Sequence, residues 1–368
     1  MNQNIQSRRN TLKLLALAGI TAVGGYALLE YAPWLNDTQT ADQSRRPLEK
    51  NTSGTVQMRE LVRFAALAAS GHNTQPWKFK ILGNAIEIHP DFTRRLPAVD
   101  PNDRELWISL GAALENLLVA ARASGFAPEV TYPDSADVIR VRLTRDTPQV
   151  SPLLATILTR QNTRSIYDGQ PIQSNYLERL RVTLEPGVSL QFRSSRSELE
   201  TILEYVNQGN LKQYADQAFM TELIHWVRFD KREALASLDG LYSRCSGNPA
   251  VPRWLGQMVV TGTKPQGQAD SDAKKLRSSS GAVIVTSASD DKPAWVRVGQ
   301  VYERLALEMT ALNIKSAFLN QPIEVSSIRG QFQTAMGLEK MLPQLLVRFG
   351  YADAMPRSLR RGLDQILL

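Results

Sequence analysis

Cysteine and histidine are almost absent from this sequence of 368 residues. Cys245 is the only cysteine, so a disulfide within the chain and a cysteine-rich metal site are both excluded. The three histidines, His72, His89 and His225, include no pair at the i, i+4 spacing of a helical zinc site. We therefore expect a protein that needs no metal.

Several sequence motifs of common enzymes are also missing. The chain has no P-loop, no G-x-G-x-x-G after a predicted strand, no G-x-S-x-G elbow and no H-E-x-x-H zinc motif. Pairs of acidic residues occur along the chain, but no pair is singled out by its surroundings. These absences narrow the enzyme classes that the chain can belong to.

Neither basic nor acidic residues are clustered in one part of the sequence. Lys and Arg number 43 against 36 Asp and Glu, which gives a net charge of +7 and a pI near 9.5. This excess mildly favours anionic partners, but the basic residues are spread out, so we expect no nucleic-acid partner. With 43% hydrophobic residues, the composition is that of a globular chain with one large or two medium domains.

The N-terminus joins a basic start to a short apolar run. "SRRNTLK" (Ser7–Lys13) precedes an uncharged run of 16 residues, Leu14–Leu29, which is shorter than the about 20 residues of a spanning helix. A Sec signal or a membrane anchor would fit this pattern. The residues around Arg8 and Arg9 resemble a twin-arginine signal more closely, although Thr11 stands where that motif usually has Phe.

We therefore predict that residues 1–30 are a twin-arginine signal and that the protein works in the periplasm or elsewhere outside the cytoplasm. The export machinery, a partner in this interpretation, carries folded proteins, often with a cofactor already bound. "GYA" (Gly25–Ala27) is a weak cleavage site, so retention of the segment as a membrane anchor remains open. Residues 31–54 are polar and predict a linker.

Beyond the linker, the hydrophobic pattern alternates between helix and strand. A helix at 56–70 should end at Gly71 as its C-cap, and Gly83-Asn84 should turn a hairpin in which Phe79, Ile81, Ile86 and Ile88 face one side. The irregular alternation of helices, strands and hairpins indicates the α+β class. Further helices are predicted at 104–125, 153–160 and 295–314, and strands at 137–144, 281–287 and 344–352.

The two longest predicted helices resemble each other. Aligned from their glycines, segments 111–125 and 299–313 share four identities in fifteen positions. This match is by itself weak evidence of an internal duplication. It divides the folded part into a first half at 55–150 and a second half at 151–368.

Three segments carry polar or basic side chains in distinctive patterns: "SGHNTQPW" (Ser70–Trp77), "RQNTR" (Arg160–Arg164) and the tail "GYADAMPRSLRRGL" (Gly350–Leu363). Together they resemble the FMN-dependent nitroreductase family. The tail has Ala352 and Gly362 where that family usually has Pro, and Gln161 and Asn162 replace the Arg and Ser of its arginine motif. The residues that match are Ser70, Asn73, Gln75, Pro76, Trp77, Arg160, Arg164, Gly350, Tyr351, Arg360, Arg361 and Leu363.

The order of these segments differs from that of ordinary nitroreductases, in which the arginine motif comes first. Here the motif follows the Asn-Gln-Pro-Trp turn by about ninety residues. This order resembles the fused, two-copy branch of Acg-type FMN-binding oxidoreductases, and the resemblance spans 56–368. It implies a nitroreductase-like fold whose two related halves form a pseudo-dimer within one monomeric chain.

The resemblance also implies FMN as the cofactor. An FMN phosphate is a dianion, which a planar guanidinium group recognises well. Alternatives remain open, because each arginine could be a solvated surface residue and Gln75 could bind only turn backbone. His72 could donate to flavin or substrate, or cap the helix end, and Trp77 is predicted to pack in the core. The predicted cofactor-binding residues are Ser70, His72, Asn73, Gln75, Arg160, Asn162, Arg164, Arg357, Arg360 and Arg361.

The function that the resemblance implies is an exported, FMN-binding oxidoreductase. It would pass electrons or hydride from reduced flavin to a small electron-poor acceptor, with arginines stabilising charge on the reduced flavin. No catalytic residue is singled out, and the sequence has no recognisable nicotinamide site. Two alternatives are a non-enzymatic protein that binds or sequesters FMN, and a membrane-anchored interaction protein that has lost flavin.

Overall fold

Two four-stranded antiparallel sheets and a pair of long central helices organise the chain. The computed structural model describes residues 37–49, 53–132, 137–181 and 185–368, so the predicted signal lies outside the described residues. The strands are β1 (Trp77–Leu82), β2 (Ala85–Pro90), β3 (Phe126–Thr131), β4 (Ile139–Arg145), β5 (Val188–Arg193), β6 (Val227–Arg228), β7 (Leu241–Tyr242), β8 (Gly281–Ser287), β9 (Lys315–Phe318) and β10 (Leu342–Gly350).

Helices make up most of the remaining regular structure, and they confirm the predicted α+β class. Three short 3₁₀ turns lie at Gly71–Asn73, Phe92–Arg94 and Ser243–Ser246. The α-helices are α1 (Asp37–Ser44), α2 (Gly54–Ala65), α3 (Arg104–Ala123), α4 (Leu153–Thr159), α5 (Ser174–Leu180), α6 (Arg196–Ala215), α7 (Gln217–Trp226), α8 (Lys231–Ser237), α9 (Arg253–Gly262), α10 (Pro265–Arg277), α11 (Lys292–Ala311), α12 (Gln321–Glu324), α13 (Ser326–Ala335) and α14 (Leu363–Ile366).

The first sheet has the strand order β1-β2-β4-β3, and every neighbouring pair is antiparallel. Its first two strands form the predicted hairpin. Phe79 pairs with Ile88 and Ile81 pairs with Ile86, and Gly83 takes a φ of +55° that suits glycine. The hairpin prediction is therefore confirmed in both its turn and its register.

The second sheet repeats the arrangement of the first. Its order is β5-β8-β10-β9, again antiparallel throughout. In both sheets the chain runs strand, strand, long helix, strand, strand, and the strands take the order first, second, fourth, third. The halves differ between their first two strands, where the first half has the turn Gly83-Asn84 and the second half inserts residues 194–280.

Helices α3 and α11 cross at two glycines, and the contacts are reciprocal. A Cβ atom on Gly111 would lie 2.0 Å from the carbonyl oxygen of Val296, and one on Gly299 would lie 2.0 Å from that of Ile108. Val296 precedes Gly299 by three positions, and Ile108 likewise precedes Gly111 by three positions. The two helices thus contact each other through equivalent surfaces, as the partners of a two-fold interface do. Helix α3 is long and apolar enough to cross a membrane, but it is mostly buried within the protein.

Two local predictions are wrong. Helix α2 ends at Ala65 instead of Ser70, and Gly71 has no positive φ, so it is not a C-cap. The helix ends early because of contacts with distant parts of the chain. The carbonyl groups of Leu67 and Ala68, just beyond the helix, accept hydrogen bonds from the guanidinium groups of distant arginines.

The polar segment predicted as a linker, 31–54, contains helix α1. Ala41 of this helix is buried, in a cluster with Ala234, Tyr242 and Leu359. The side chain of Asp37 accepts a hydrogen bond from the Tyr242 hydroxyl at 3.1 Å. The linker prediction is therefore wrong for these residues, because few apolar side chains suffice when partners from distant segments cover them.

Candidate active site

The polar turn between α2 and β1 is held in an uncommon backbone conformation. His72, Asn73 and Gln75 have φ values of 46°, 53° and 53°, in the left-handed region that costs non-glycine residues of order 1–3 kcal/mol each. Ser70 Oγ accepts a hydrogen bond from the backbone N–H of Gln75 at 3.0 Å. Such a turn persists only because its surroundings hold it in place.

Gln75 supplies much of that support. Its Nε2 donates to the carbonyl oxygen of Leu238 at 2.9 Å, and its Oε1 accepts from the backbone N–H of Arg361 at 2.9 Å. The side chain is fully buried. Gln75 therefore serves the protein backbone, which was one of the alternatives that its sequence left open.

Trp77 lies in the main hydrophobic core and has no exposed surface. It begins β1 and packs with Phe79 and Ile88 of the hairpin in the same core. The prediction that this ring packs under the hairpin is confirmed.

Two arginines from the second half converge on the end of helix α2. Arg160 Nη2 donates to the carbonyl oxygen of Leu67 at 3.1 Å, and Arg360 Nη2 donates to the same oxygen at 3.2 Å. Arg360 Nη1 also donates to Asn73 Oδ1 at 2.9 Å. The structure thus brings together one residue from each of the three motifs, the turn, the arginine motif and the tail.

The site carries an excess of buried positive charge. Arg45 is 6% exposed, Arg160 5% and Arg360 6%, and we call these three the arginine cluster. Glu303 Oε1 lies 3.0 Å from Arg160 Nε, and its negative charge also acts on Arg360. Burial and the charge of Arg160 lower the pKa of Arg45 to about 10.

The charged form of Arg360 is destabilised in the same way as that of Arg45. Burial, followed by the charges of Arg45 and Arg160, lowers the pKa of Arg360 well below its usual value. Its Nε atom is buried without a hydrogen-bond partner among the described residues. A bound anion would relieve this repulsion and satisfy that donor, so the cluster suits a phosphate group chemically.

A cavity of about 520 Å³ lies beside the turn, and His72 and Arg164 both line it. Arg164 Nη1 donates to Ser246 Oγ at 2.9 Å. Burial, and to a lesser degree the charge of Arg164, lowers the pKa of His72 to about 4, so the imidazole is neutral at physiological pH. His72 Nδ1 is buried and finds no partner among the described residues. The ring therefore lines the cavity with one nitrogen that no described protein group satisfies.

Most of the cavity wall comes from residues that the sequence did not indicate. The insertion at 194–280 contributes Asn210 and Asp272, and the segment after β9 contributes Gln321. Asp272 Oδ2 accepts from Asn210 Nδ2 at 3.0 Å and from Gln321 Nε2 at 3.0 Å. A polar cluster directly after a buried strand, "LNQPIE" (319–324), was the available signal, but no motif spacing marked it.

Arg348 is a further residue of the cavity wall that the sequence did not indicate. It lies within the apolar strand β10, is 1% exposed, and stacks 4.0 Å over the ring of Tyr167. Its guanidinium donates to the carbonyl oxygens of Thr163 and Ser165 at 3.3 and 2.9 Å. These bonds hold the backbone on both sides of Arg164 and so position that side chain at the cavity.

The remaining predicted residues contact protein groups instead of the cavity. Arg357 pairs with Asp42 at 3.0 Å, Arg361 Nη1 donates to the carbonyl oxygen of Gln75 at 3.1 Å, and Asn162 Oδ1 accepts from the Tyr302 hydroxyl at 3.2 Å. Their predicted role in cofactor binding stays a prediction. Among the described residues, no group of His, Cys, Asp and Glu side chains could hold a metal ion.

Two proteins of Mycobacterium tuberculosis are similar in sequence to most of this chain. The "Putative NAD(P)H nitroreductase Rv3131" of Mycobacterium tuberculosis (strain ATCC 25618 / H37Rv) is 26% identical over 326 residues, which cover 84% of this chain and 90% of the relative. The "Putative NAD(P)H nitroreductase acg" of the same strain is 22% identical over 324 residues, which cover 84% and 94%. The chain is related to these mycobacterial proteins along most of its length.

Solved structures give a more distant similarity. The FMN-dependent nitroreductase NfnB from Mycobacterium smegmatis, in complex with NADPH, is 14% identical, with a TM-score of 0.39 over 57% of this chain and 94% of that chain. A nitroreductase with bound FMN from Bacteroides fragilis is 17% identical, with a TM-score of 0.36 over 58% and 97%. No family model matches the chain.

Proposed function

We propose that this protein is an FMN-dependent oxidoreductase of the nitroreductase type, which reduces a small electron-poor acceptor. The observation that carries the proposal is the arginine cluster, a buried surplus of positive charge near a cavity with unsatisfied polar atoms. The names of the mycobacterial relatives support the reaction class. The sequence motifs support FMN as the cofactor.

The residues present fit FMN. Arg160, Arg360 and Asn73 would hold the phosphate, because two guanidinium groups and an amide already converge there. His72 and Arg164 would contact the flavin from the cavity wall. The bound flavin supplies the transfer of electrons or hydride. The protein orients the acceptor, excludes water and places the positive charge of Arg164 where negative charge develops.

Reduction of the purified protein tests this function. The bound flavin should lose its visible absorbance when NADPH or dithionite is added anaerobically, and a nitroaromatic compound should restore it over repeated cycles. A protein that binds FMN and fails to pass its electrons on would instead be a flavin-sequestering protein. That second candidate rests on the same arginine cluster, which would bind the phosphate with or without turnover.

Arg164→Ala should weaken FMN binding by about 1.5–3 kcal/mol, because it removes one charge-assisted contact. This is a roughly 10- to 100-fold increase in the Kd for FMN, measured by titrating the apoprotein with flavin. Arg196→Ala is the matched control, since Arg196 is an exposed residue of α6 that pairs with Glu200. Equal Kd values for the two variants would remove Arg164 from the flavin site.

We also infer that the two halves form a pseudo-dimer with a single complete site. Their shared strand order and the reciprocal glycine contacts support this inference. The Asn-Gln-Pro-Trp turn precedes β1 only, and the arginine motif and tail occur only in the second half. The expected result is one FMN per chain in a monomer, measured by flavin absorbance after denaturation and by light scattering. Two flavins per chain would disprove the single-site model.

Export by the twin-arginine route belongs to the same proposal, and its evidence is the N-terminal sequence alone. Arg8→Lys with Arg9→Lys keeps the charge and the apolar run, so a Sec signal or an anchor would still work. We expect the double variant to accumulate in the cytoplasm and to be lost from the periplasm, measured by cell fractionation. Normal export of this variant would show that the signal is of another kind.

A further inference from the structure

Two glutamates, one from each half of the chain, meet at the wall of the cavity. Glu324, at the end of α12, lines the cavity, and Glu105, in the first turn of α3, lies buried behind it. Their carboxyl groups are within hydrogen-bonding reach of each other. Gln213 Nε2 donates to Glu324 Oε2 at 2.6 Å, and Asn320 Nδ2 donates to Glu105 Oε1 at 3.2 Å.

The charges around this pair do not balance. Arg104 Nη2 lies 3.5 Å from Glu105 Oε1, and its Nη1 donates to the carbonyl oxygen of Gln344 at 2.6 Å. Asp100 brings a third carboxyl group, whose Oδ2 accepts from the backbone N–H of Leu106 at 3.0 Å. Three carboxyl groups therefore share one guanidinium.

Carboxylates that lie this close cannot all ionise, so one of them keeps a proton. Burial is the largest cause that raises the pKa of both Glu105 and Glu324, and the charge of Glu324 adds to the rise in the pKa of Glu105. The hydrogen bonds from Gln213 and Asn320 favour the ionised form but do not cancel the effect of burial. The pair thus retains a proton at a pH where isolated glutamates have lost theirs.

The pair is also close to the strained turn. A Cβ atom on Gly71, next to His72, would lie 3.4 Å from Glu105 Oε2. The cavity is therefore bordered by a neutral imidazole, a cationic guanidinium and a protonated carboxyl pair. Of these three groups, the carboxyl pair holds an acidic proton at a pH where isolated glutamates have lost theirs.

We propose that the Glu105–Glu324 pair is a proton store and that Glu324 is the catalytic acid that protonates the acceptor in the cavity. This inference rests on the proposed function. For a quinone acceptor, bound reduced flavin would supply a hydride, which is two electrons and one proton, and Glu324 supplies the second proton to the quinone oxygen. The products are a hydroquinone and a Glu324 carboxylate, which regains its proton from solvent through the pair.

The kinetic test is reoxidation of the prereduced, FMN-loaded enzyme by a water-soluble quinone, followed by stopped-flow absorbance across pH. In the wild type the rate should fall as pH rises through the pKa of the pair. Glu324→Gln should slow reoxidation at pH 7 by about 100-fold or more, the usual contribution of a positioned acid. It should also abolish the pH dependence, while FMN occupancy stays unchanged.

Two further variants make the result specific. Glu105→Gln should move the pH profile to lower pH, because Glu324 then lacks a carboxylate neighbour that resists its ionisation. Glu204→Gln is the matched control on the exposed face of α6, and it should behave as the wild type. An unchanged pH profile in Glu324→Gln would overturn the proposal.

Infrared spectroscopy of the apoprotein provides a readout that is independent of flavin. At a pH just above that at which isolated glutamates ionise, the wild type should show the C=O band of protonated carboxylic acids, and Glu324→Gln combined with Glu105→Gln should reduce the intensity of that band, since other buried carboxyls such as Glu303 still contribute to it. Equal band intensity in the wild type and the double variant would overturn the proton store. A protein whose band falls in the double variant but which binds no FMN would refute the proposed function, and the delivery step with it, while confirming the shared proton.

Discussion

Gly299→Ala should destabilise the protein by about 3 kcal/mol or more, at the upper end of what overpacking costs. The new methyl carbon would lie 2.0 Å from the carbonyl oxygen of Ile108, 2.8 Å from the backbone nitrogen of Ala112 and 2.9 Å from the Cα atom of Gly111. All three are backbone atoms of α3, so no side chain can turn aside. The two central helices must therefore separate, and the cores of both halves separate with them.

Urea unfolding of the apoprotein measures this effect, and another helical glycine provides the control. Gly330 lies within α13, and a Cβ atom placed there meets nothing within 4 Å. Gly330→Ala should stabilise the protein by about 0.5–1 kcal/mol, because alanine loses less conformational entropy in a helix. Similar unfolding midpoints for the Gly299 and Gly330 variants would show that α3 and α11 do not cross at this point.

Arg160→Met should destabilise the apoprotein by about 3–5 kcal/mol, the usual effect of leaving a buried charge without its partner. The charge is that of Glu303, which is completely buried and lies 3.0 Å from Arg160 Nε. Burial already raises the pKa of Glu303, and the charge of Arg160 is the largest cause that opposes the rise. Without Arg160 the pKa of Glu303 should rise further.

This variant should lose stability as pH rises. A raised pKa means that folded Glu303 keeps its proton above about pH 4.3, where the unfolded chain releases it. Stability is therefore lost progressively from that pH up to the pKa of folded Glu303. Chemical unfolding of Arg160→Met at pH 5 and pH 8 should give the smaller free energy of unfolding at pH 8.

A second substitution in the same chain separates this cause from loss of packing. Glu303→Gln removes the buried charge, so Arg160→Met with Glu303→Gln should be more stable than Arg160→Met alone and nearly independent of pH. Arg196→Met removes an exposed partner of Glu200, and it should cost no more than about 1 kcal/mol. A loss in Arg160→Met that is equal at both pH values would contradict a role for the Glu303 charge.

Strongly patterned segments were predictable from the sequence because their hydrophobic period records which face is buried. The strand at 281–287 was predicted with its observed bounds, and the long helices at 104–123 and 292–311 lie within a few residues of their predicted ones. The hairpin at Gly83 was predictable because its turn residues and its alternating apolar residues agree. Helix α1 was not, since its stability comes from partners such as Tyr242 and Leu359, far away in the chain.

The candidate site was predictable only where motif residues carry it. His72, Asn73, Arg160, Arg164 and Arg360 were named from the sequence, and the structure places them at the cavity or in contact with the turn. Arg348 and Glu105 were not predictable, because one lies within an apolar strand and the other within an apolar helix. Asn210 and Asp272 belong to the insertion, whose position relative to β9 follows from packing and not from local pattern.

The sequence by itself determined the positions of most helices and strands, because local period and turn chemistry depend on neighbouring residues only. It also determined which polar side chains form recognisable motifs. Tertiary structure alone decided how these side chains act. Burial turns Arg45, Arg160 and Arg360 into a repelling cluster, makes His72 neutral and lets Glu105 and Glu324 share a proton. Each effect depends on desolvation and on distances between segments far apart in the chain, which no local pattern records.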